Sequence, residues 1–212
     1  MPSRARLTLF VLFLPASLAA QKQFTLPGDR VAIYNVAGQV AVSAGSGSAV
    51  TVTATPAGAQ AAALKFEQGA IDGRETLRIV YPDGDIVYAA IGKGSQTMQR
   101  VNADGTFGDS DRDRGRRVRI VGSGAGADVH ADLAVAVPAG RSVEVYLAAG
   151  SVSVTNVNGS LAFDLSAADL RVTGGKGEIV ADVGAGNVDV SGTDGPLRID
   201  TGSGNVRLTD VK

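Results

Sequence analysis

The sequence predicts an all-β chain: a single-stranded parallel β-solenoid, or β-helix, with coils of about 18 residues and a right-handed wind. Three observations carry this expectation. Four units close the chain without an insertion: SVEVYLAAGSVSVTNVNG from Ser142, SLAFDLSAADLRVTGGKG from Ser160, EIVADVGAGNVDVSGTDG from Glu178 and PLRIDTGSGNVRLTDVK from Pro196. Each unit alternates aliphatic and polar residues in two runs, the period of a half-buried strand. Glycine, at 28 of 212 residues, is about twice as common as usual, which favours many short strands joined by tight turns.

The inward set of the first run is Val143, Val145, Leu147; Leu161, Phe163, Leu165; Ile179, Ala181, Val183; and Leu197, Ile199, Thr201. The second run supplies Val152, Val154; Leu170, Val172; Val188, Val190; and Val206, Leu208. Between the runs sit the small-residue corners AAGS, SAAD, GAGN and GSGN. Laying equivalent runs side by side at about 4.8 Å gives parallel ladders and one continuous core. Two other 18-residue architectures fit less well. A hexapeptide helix needs an aliphatic at every sixth residue, and Val143, Ala149, Thr155, Leu161, Ala167, Thr173 break that rule at two positions in three. A calcium roll needs carboxylates in its turns, whereas the corners carry Ser151, Asp169, Asn187 and Asn205.

Residues 1–20 read as a secretory signal, with Arg4 and Arg6 before the apolar run Leu7 to Leu14 and a small-residue exit at Ser17-Leu18-Ala19-Ala20. That run is too short to span a bilayer, and no later transmembrane segment is expected. Residues 21–137 form an N-terminal β-rich part of the solenoid, with strand candidates at 30–35, 39–43, 50–55, 76–81, 86–88, 117–121 and 130–137. Ala57 to Gln68 reads as mildly helical. Residues 92–116 form a polar insertion, expected as an exposed loop, and 138–212 hold the regular repeats. Asp109, Asp111 and Asp113 alternate as in a calcium loop, but the sixth position is Arg114 instead of Gly and the twelfth is Ile120 instead of Glu.

Without Arg4 and Arg6 the mature chain has 18 basic against 21 acidic residues, a net charge of −3. No basic field for nucleic acid exists. With no cysteine and one histidine, His130, the usual zinc and copper ligands are nearly absent, and no disulfide or lipoprotein cysteine is available. His130 reads as a strand residue. The chain is therefore expected outside the cytoplasm, in the periplasm or at the cell surface.

Stacking also places residues 18 apart in outward columns. Ser153, Arg171, Asp189, Arg207 alternate in charge, a structural device. Tyr146, Asp164, Asp182, Asp200 set three carboxylates in series, a repulsive arrangement unless water, arginines or a cation relieve it. Asp164, Asp182 and Asp200 are thus the candidate calcium ligands or, on an enzyme face, the candidate acid and base. Asp169, Asn187, Asn205 read as a stacked amide ladder at the corner.

The opening RVAIYNVAGQVAVSAGSGSAVTVTAT, the phrase DLAVAVPAGRSVEVYLAAGSVSV and the recurring GAGNVDV and GSGNVRL resemble the bacterial putative adhesin family, a domain of unknown function similar to autotransporter-adhesin head domains. The resemblance covers Arg30 to Lys212 and implies a β-solenoid that is exported or surface-associated, and it supplies no catalytic residues. The expectation is therefore a non-enzymatic interaction or structural module without a cofactor, whose partner is a cell-envelope or extracellular polymer or protein. A polysaccharide-acting enzyme on the aspartate face and a calcium-stabilised stalk are the alternatives. The last coil, ending at Lys212 without a polar cap, suggests end-to-end self-association or a longer native chain.

Overall fold

The computed structural model describes residues 21–108 and 115–212; residues 1–20, expected as a secretory signal, and the calcium-loop candidates Asp109, Asp111 and Asp113 lie outside them. Among the described residues the chain is all-β, with sixteen strands and two short 3-10 turns, at Ala61–Ala63 and Ala89–Ile91.

The repeat units become parallel strands in the register that their period dictates. The strands β11 (Ser142–Asn158) and β12 (Ser160–Lys176) are followed by β13 (Ile179–Ala185) with β14 (Val188–Ser191), and then β15 (Leu197–Ser203) with β16 (Val206–Thr209). Val143 pairs with Leu161, Leu161 with Ile179 and Ile179 with Leu197; Val152, Leu170, Val188 and Val206 form the equivalent row in the second run. One further strand joins this stack from far upstream. β2 (Arg30–Ala44) lies parallel to β11, with Val31 beside Val143, Tyr34 beside Tyr146 and Val40 beside Val152, although residues 45–141 intervene. Corner geometry repeats too: Asn156, Gly174, Gly192 and Asp210, each 18 apart, have φ of 53°, 69°, 65° and 52°.

The expectation of purely parallel pairing is corrected before residue 142, where the sheets are mixed. β1 (Lys22–Leu26) is antiparallel to β3 (Val50–Ala57), which is antiparallel to β10 (His130–Val137). β10 in turn runs parallel to residues 40–44 of β2. The other half of β2, residues 31–34, is flanked by β5 (Arg74–Val80), itself antiparallel to β4 (Lys65–Ile71). The cause is local. β4 and β5 are joined by Asp72-Gly73, both with positive φ of 50° and 74°, a two-residue connection that can only reverse the chain. β10 and β5 thus cover the outer edge of β2, so its backbone groups find partners.

Two local expectations also change. The helix suggested at Ala57 to Gln68 is a single 3-10 turn followed by β4, because the antiparallel ladder to β5 and the Phe24–Phe66 ring contact (5.6 Å between centroids) outweigh the helix propensity of five alanines. Within 92–116, residues expected as loop form β7 (Gln96–Val101), antiparallel to β8 (Arg116–Val121). With β6 (Ile86–Val87) and β9 (Ala127–Asp128) they make a second, four-stranded sheet in the order β7-β8-β6-β9. Its inward residues Ile86, Val101, Val118 and Ile120 are buried, while Gln96, Arg117 and Arg119 are exposed, with Met98 among them.

The core runs along the stack through Val31, Ile33, Val145, Leu147, Phe163, Leu165, Leu170 and Val190, all buried. Asn35 is, with Thr76, a fully buried polar residue. Its side-chain amide donates to the Ala131 carbonyl at 2.8 Å, and its Oδ1 lies 2.7 Å from the Tyr81 hydroxyl, which also accepts from the Ala37 N–H at 3.2 Å. A buried polar group costs stability only when unpaired, and this one is paired. No helix among the described residues is long and apolar enough to cross a membrane.

Candidate functional site

Where the second sheet leans on the stack, the bends of successive parallel strands form one side of a groove. Column pairing sets Ala37, Ala149, Ala167 and Ala185 in a row, with Gly38, Gly150 and Ala168 in the next and Gln39, Ser151 and Asp169 in the third. Small side chains there leave space above the backbone. The opposite wall is the segment from Tyr88 to Thr97. Its 3-10 turn is closed by the Gly92 N–H donating to the Ala89 carbonyl at 3.0 Å, and the Ser95 N–H donates to the Gly92 carbonyl at 3.1 Å. The wall is tied to the stack further along, where the Ser166 hydroxyl donates to Gln99 Oε1 at 2.6 Å.

The groove has a volume of about 410 Å3 and is lined by Gln39, Tyr88, Ile91, Gln96, Thr97, Ser151 and Asp169, among others. It continues past Ser151 and Asp169 into a second depression of about 340 Å3 that reaches Ser153, Arg171, Asn187 and Asp189. The two depressions share Ser151 and Asp169 and together form a trough that crosses β2, β11, β12 and the bend between β13 and β14. Tyr88 is the buried member of the wall, 4% exposed. Its ring packs on His130 at 4.9 Å, and its hydroxyl makes no hydrogen bond to any described residue. Burial, with the Asp132 carboxylate nearby, pushes its phenol up to about 12. Tyr88 is therefore a neutral hydroxyl group at any physiological pH.

The amide ladder expected at the corner is present. Asp169 Oδ1 accepts from the Asn187 N–H at 2.7 Å and its side-chain amide at 3.3 Å, and Asn187 Oδ1 accepts from the Asn205 N–H at 3.2 Å. Asp169 thereby meets the groove with one carboxylate oxygen already engaged. The column Ser153, Arg171, Asp189, Arg207 is also in register, and Arg171 Nη2 lies 2.9 Å from Asp189 Oδ2. With Arg171 70% exposed, such a pair contributes well under about 1 kcal/mol.

No family model matches the chain, and no curated protein matches it. Among solved structures the chain is similar to a putative cell adhesion protein from Clostridium sporogenes, with 8% identity and a TM-score of 0.45 over 91% of this chain and 99% of that one.

The aspartate column lies on a different face. Tyr146, Asp164, Asp182 and Asp200 stand side by side as expected, and the row extends upstream through Tyr34 to Arg78. Tyr34 and Tyr146 stack with centroids 4.3 Å apart, and Phe107 meets both edge-on at 5.8 and 6.3 Å. Beside them Arg74 is hydrogen-bonded to Glu144 and reaches the Tyr146 hydroxyl at 3.2 Å, while that hydroxyl donates to Glu144 Oε2 at 3.1 Å. Burial is the main influence raising the Tyr34 and Tyr146 phenols. Asp164 lies against Gly108, where a methyl carbon would come 3.2 Å from its Oδ2, so residues 107–108 cover the upstream end of the column. Among the described residues no group of three or more histidine, cysteine or acidic side chains is placed to hold a metal ion.

The sequence identified the columns but not the groove. Period 18 gives neighbours along one face, whereas the groove needs residues 88–97 to fold back on the corner. One available signal was the match of VAIYNVAGQVAV from Val31 to VEVYLAAGSVSV from Val143, which places Gln39 beside Ser151.

Proposed function

We propose that this chain is an exported, non-enzymatic, right-handed β-solenoid that acts as an adhesin-type or cell-envelope interaction module, holding an extended polymer along its corner trough. The observation that carries the reading is the trough itself, which crosses coil after coil and is open along its length. Polymers are held by such shallow, repeated contacts, whereas a small-molecule reaction centre is generally enclosed on most sides. The in-register parallel rows support the solenoid, and parallel crossovers are right-handed in nearly all folds. The secretory pattern of residues 1–20 supports export.

The test is co-sedimentation of the purified chain with insoluble envelope and extracellular polymers, followed by assay of the supernatant for new reducing ends. Retention on at least one polymer with no reducing ends released is the expected result. Release of reducing ends, or retention on none, would contradict the reading.

A further inference from the structure

We infer that the groove between Tyr88–Thr97 and the coil corner is a binding site for a neutral, hydroxyl-rich glycan chain; this rests on the interaction-module reading above and names the ligand class for its trough. The lining decides the chemistry. Gln39, Ser95, Gln96, Thr97 and Ser151 present amides and hydroxyls whose side chains make no hydrogen bond to a described residue. Neither lysine nor arginine lines the groove. Its charged member is Asp169, and Asp132 stands just behind, accepting from the Gln39 N–H at 2.8 Å. Within the groove an acidic polymer would meet Asp169 with Asp132 behind it, and the Arg171 of the adjoining depression is already paired with Asp189 at 2.9 Å, so an acidic polymer is disfavoured.

Tyr88 adds a hydroxyl to the same wall. Its ring is packed away, yet the hydroxyl is not among the buried polar atoms left without a partner, so it meets solvent at the wall, where a ligand hydroxyl can take the place of water. The apolar members of the lining, Ile91, Ala167 and Ala185, suit the C–H faces of pyranose rings. An extended peptide is a poorer fit. It would bind by adding a strand to a sheet edge, but the corner backbone is already engaged between coils, as where the Gly186 N–H donates to the Ser203 carbonyl at 3.0 Å.

The experiment is calorimetric titration of the full chain with cello-hexaose, chito-hexaose and polygalacturonate, repeated on Tyr88→Phe and Gln96→Ala. Tyr88→Phe keeps the buried ring and removes a hydroxyl that bonds nothing in the fold, so denaturant unfolding should be unchanged. Binding of a neutral hexasaccharide should weaken about 3- to 10-fold in each variant, the size expected for one neutral hydrogen bond. Unchanged affinity in both variants, or tighter binding of polygalacturonate than of either neutral probe, would overturn the inference. The two readings fail separately. A chain that sediments with polymers but binds no neutral probe, or binds with no effect of the variants, loses the glycan site and keeps the module. A chain that sediments with none loses both.

Discussion

Gly150→Ala is expected to lower the unfolding free energy by roughly 3–5 kcal/mol, a loss large enough to leave many domains marginal. Two effects add. Gly150 has φ of 142°, where side-chain-bearing residues are strained by about 1–3 kcal/mol. A methyl carbon there would also lie 1.8 Å from the carbonyl oxygen of Gly38, its neighbour in the next coil. Backbone cannot rotate aside as a side chain can, so β2 and β11 would have to separate at the corner. Gly140→Ala is the comparison, since its φ of 80° is strained but nothing lies within 4 Å of the added methyl. It should cost only about 1–2 kcal/mol. Urea titrations of the two variants measure the difference, and equal midpoints would show that coil contact at Gly150 is not as close as described.

Alkaline unfolding is the second large effect. All four tyrosines of the chain have phenols raised above the ordinary value: Tyr81 by burial, against backbone hydrogen bonds at Ala37 and Ala131 that pull the other way, Tyr34 and Tyr146 mainly by burial, and Tyr88 by burial to about 12. The sign follows from the protons held. Above about pH 10 an unfolded tyrosine has lost its proton while the folded one keeps it, so the native state binds more protons and stability falls as pH rises. The stability is fully present below pH 10 and drains at about 1.4 kcal/mol per pH unit for each such group. For Tyr88 the window runs from about 10 to about 12, worth roughly 2–3 kcal/mol. Tyrosinate absorbance should therefore appear together with loss of the β-sheet circular dichroism. Tyr88→Phe should move that transition to higher pH. Smooth titration near pH 10 with the dichroism intact would contradict the burial of these rings.

What the sequence reveals depends on whether a signal is periodic. The aspartate, arginine–aspartate and amide columns were all readable from 142–212, because 18-residue spacing and parallel pairing leave one register. The strands upstream are governed by other forces. The Asp72-Gly73 turn fixes a hairpin whatever the repeat dictates, and β7 and β8 carry so many outward charges, Arg100, Arg117 and Arg119 among them, that their inward Val101, Val118 and Ile120 are hard to recognise as one face. The buried pairing of Asn35 with Tyr81, 46 residues apart, and the placing of Tyr88 against the corner depend on how the chain returns over itself. No local pattern encodes that return.

The central claim is that the strand 30–44 lies directly beside 142–158, so that one trough crosses both. The chain contains no native cysteine, so paired substitutions can test it cleanly. Ser43 and Thr155 are exposed neighbours in the register, and Thr173 is one coil further on. With a short bifunctional thiol reagent, the Ser43→Cys, Thr155→Cys chain should cross-link rapidly and the Ser43→Cys, Thr173→Cys chain slowly, since parallel neighbours stand about 4.8 Å apart and next-but-one strands about twice that. Efficient cross-linking of 43 to 173, or none of 43 to 155, would contradict the stack.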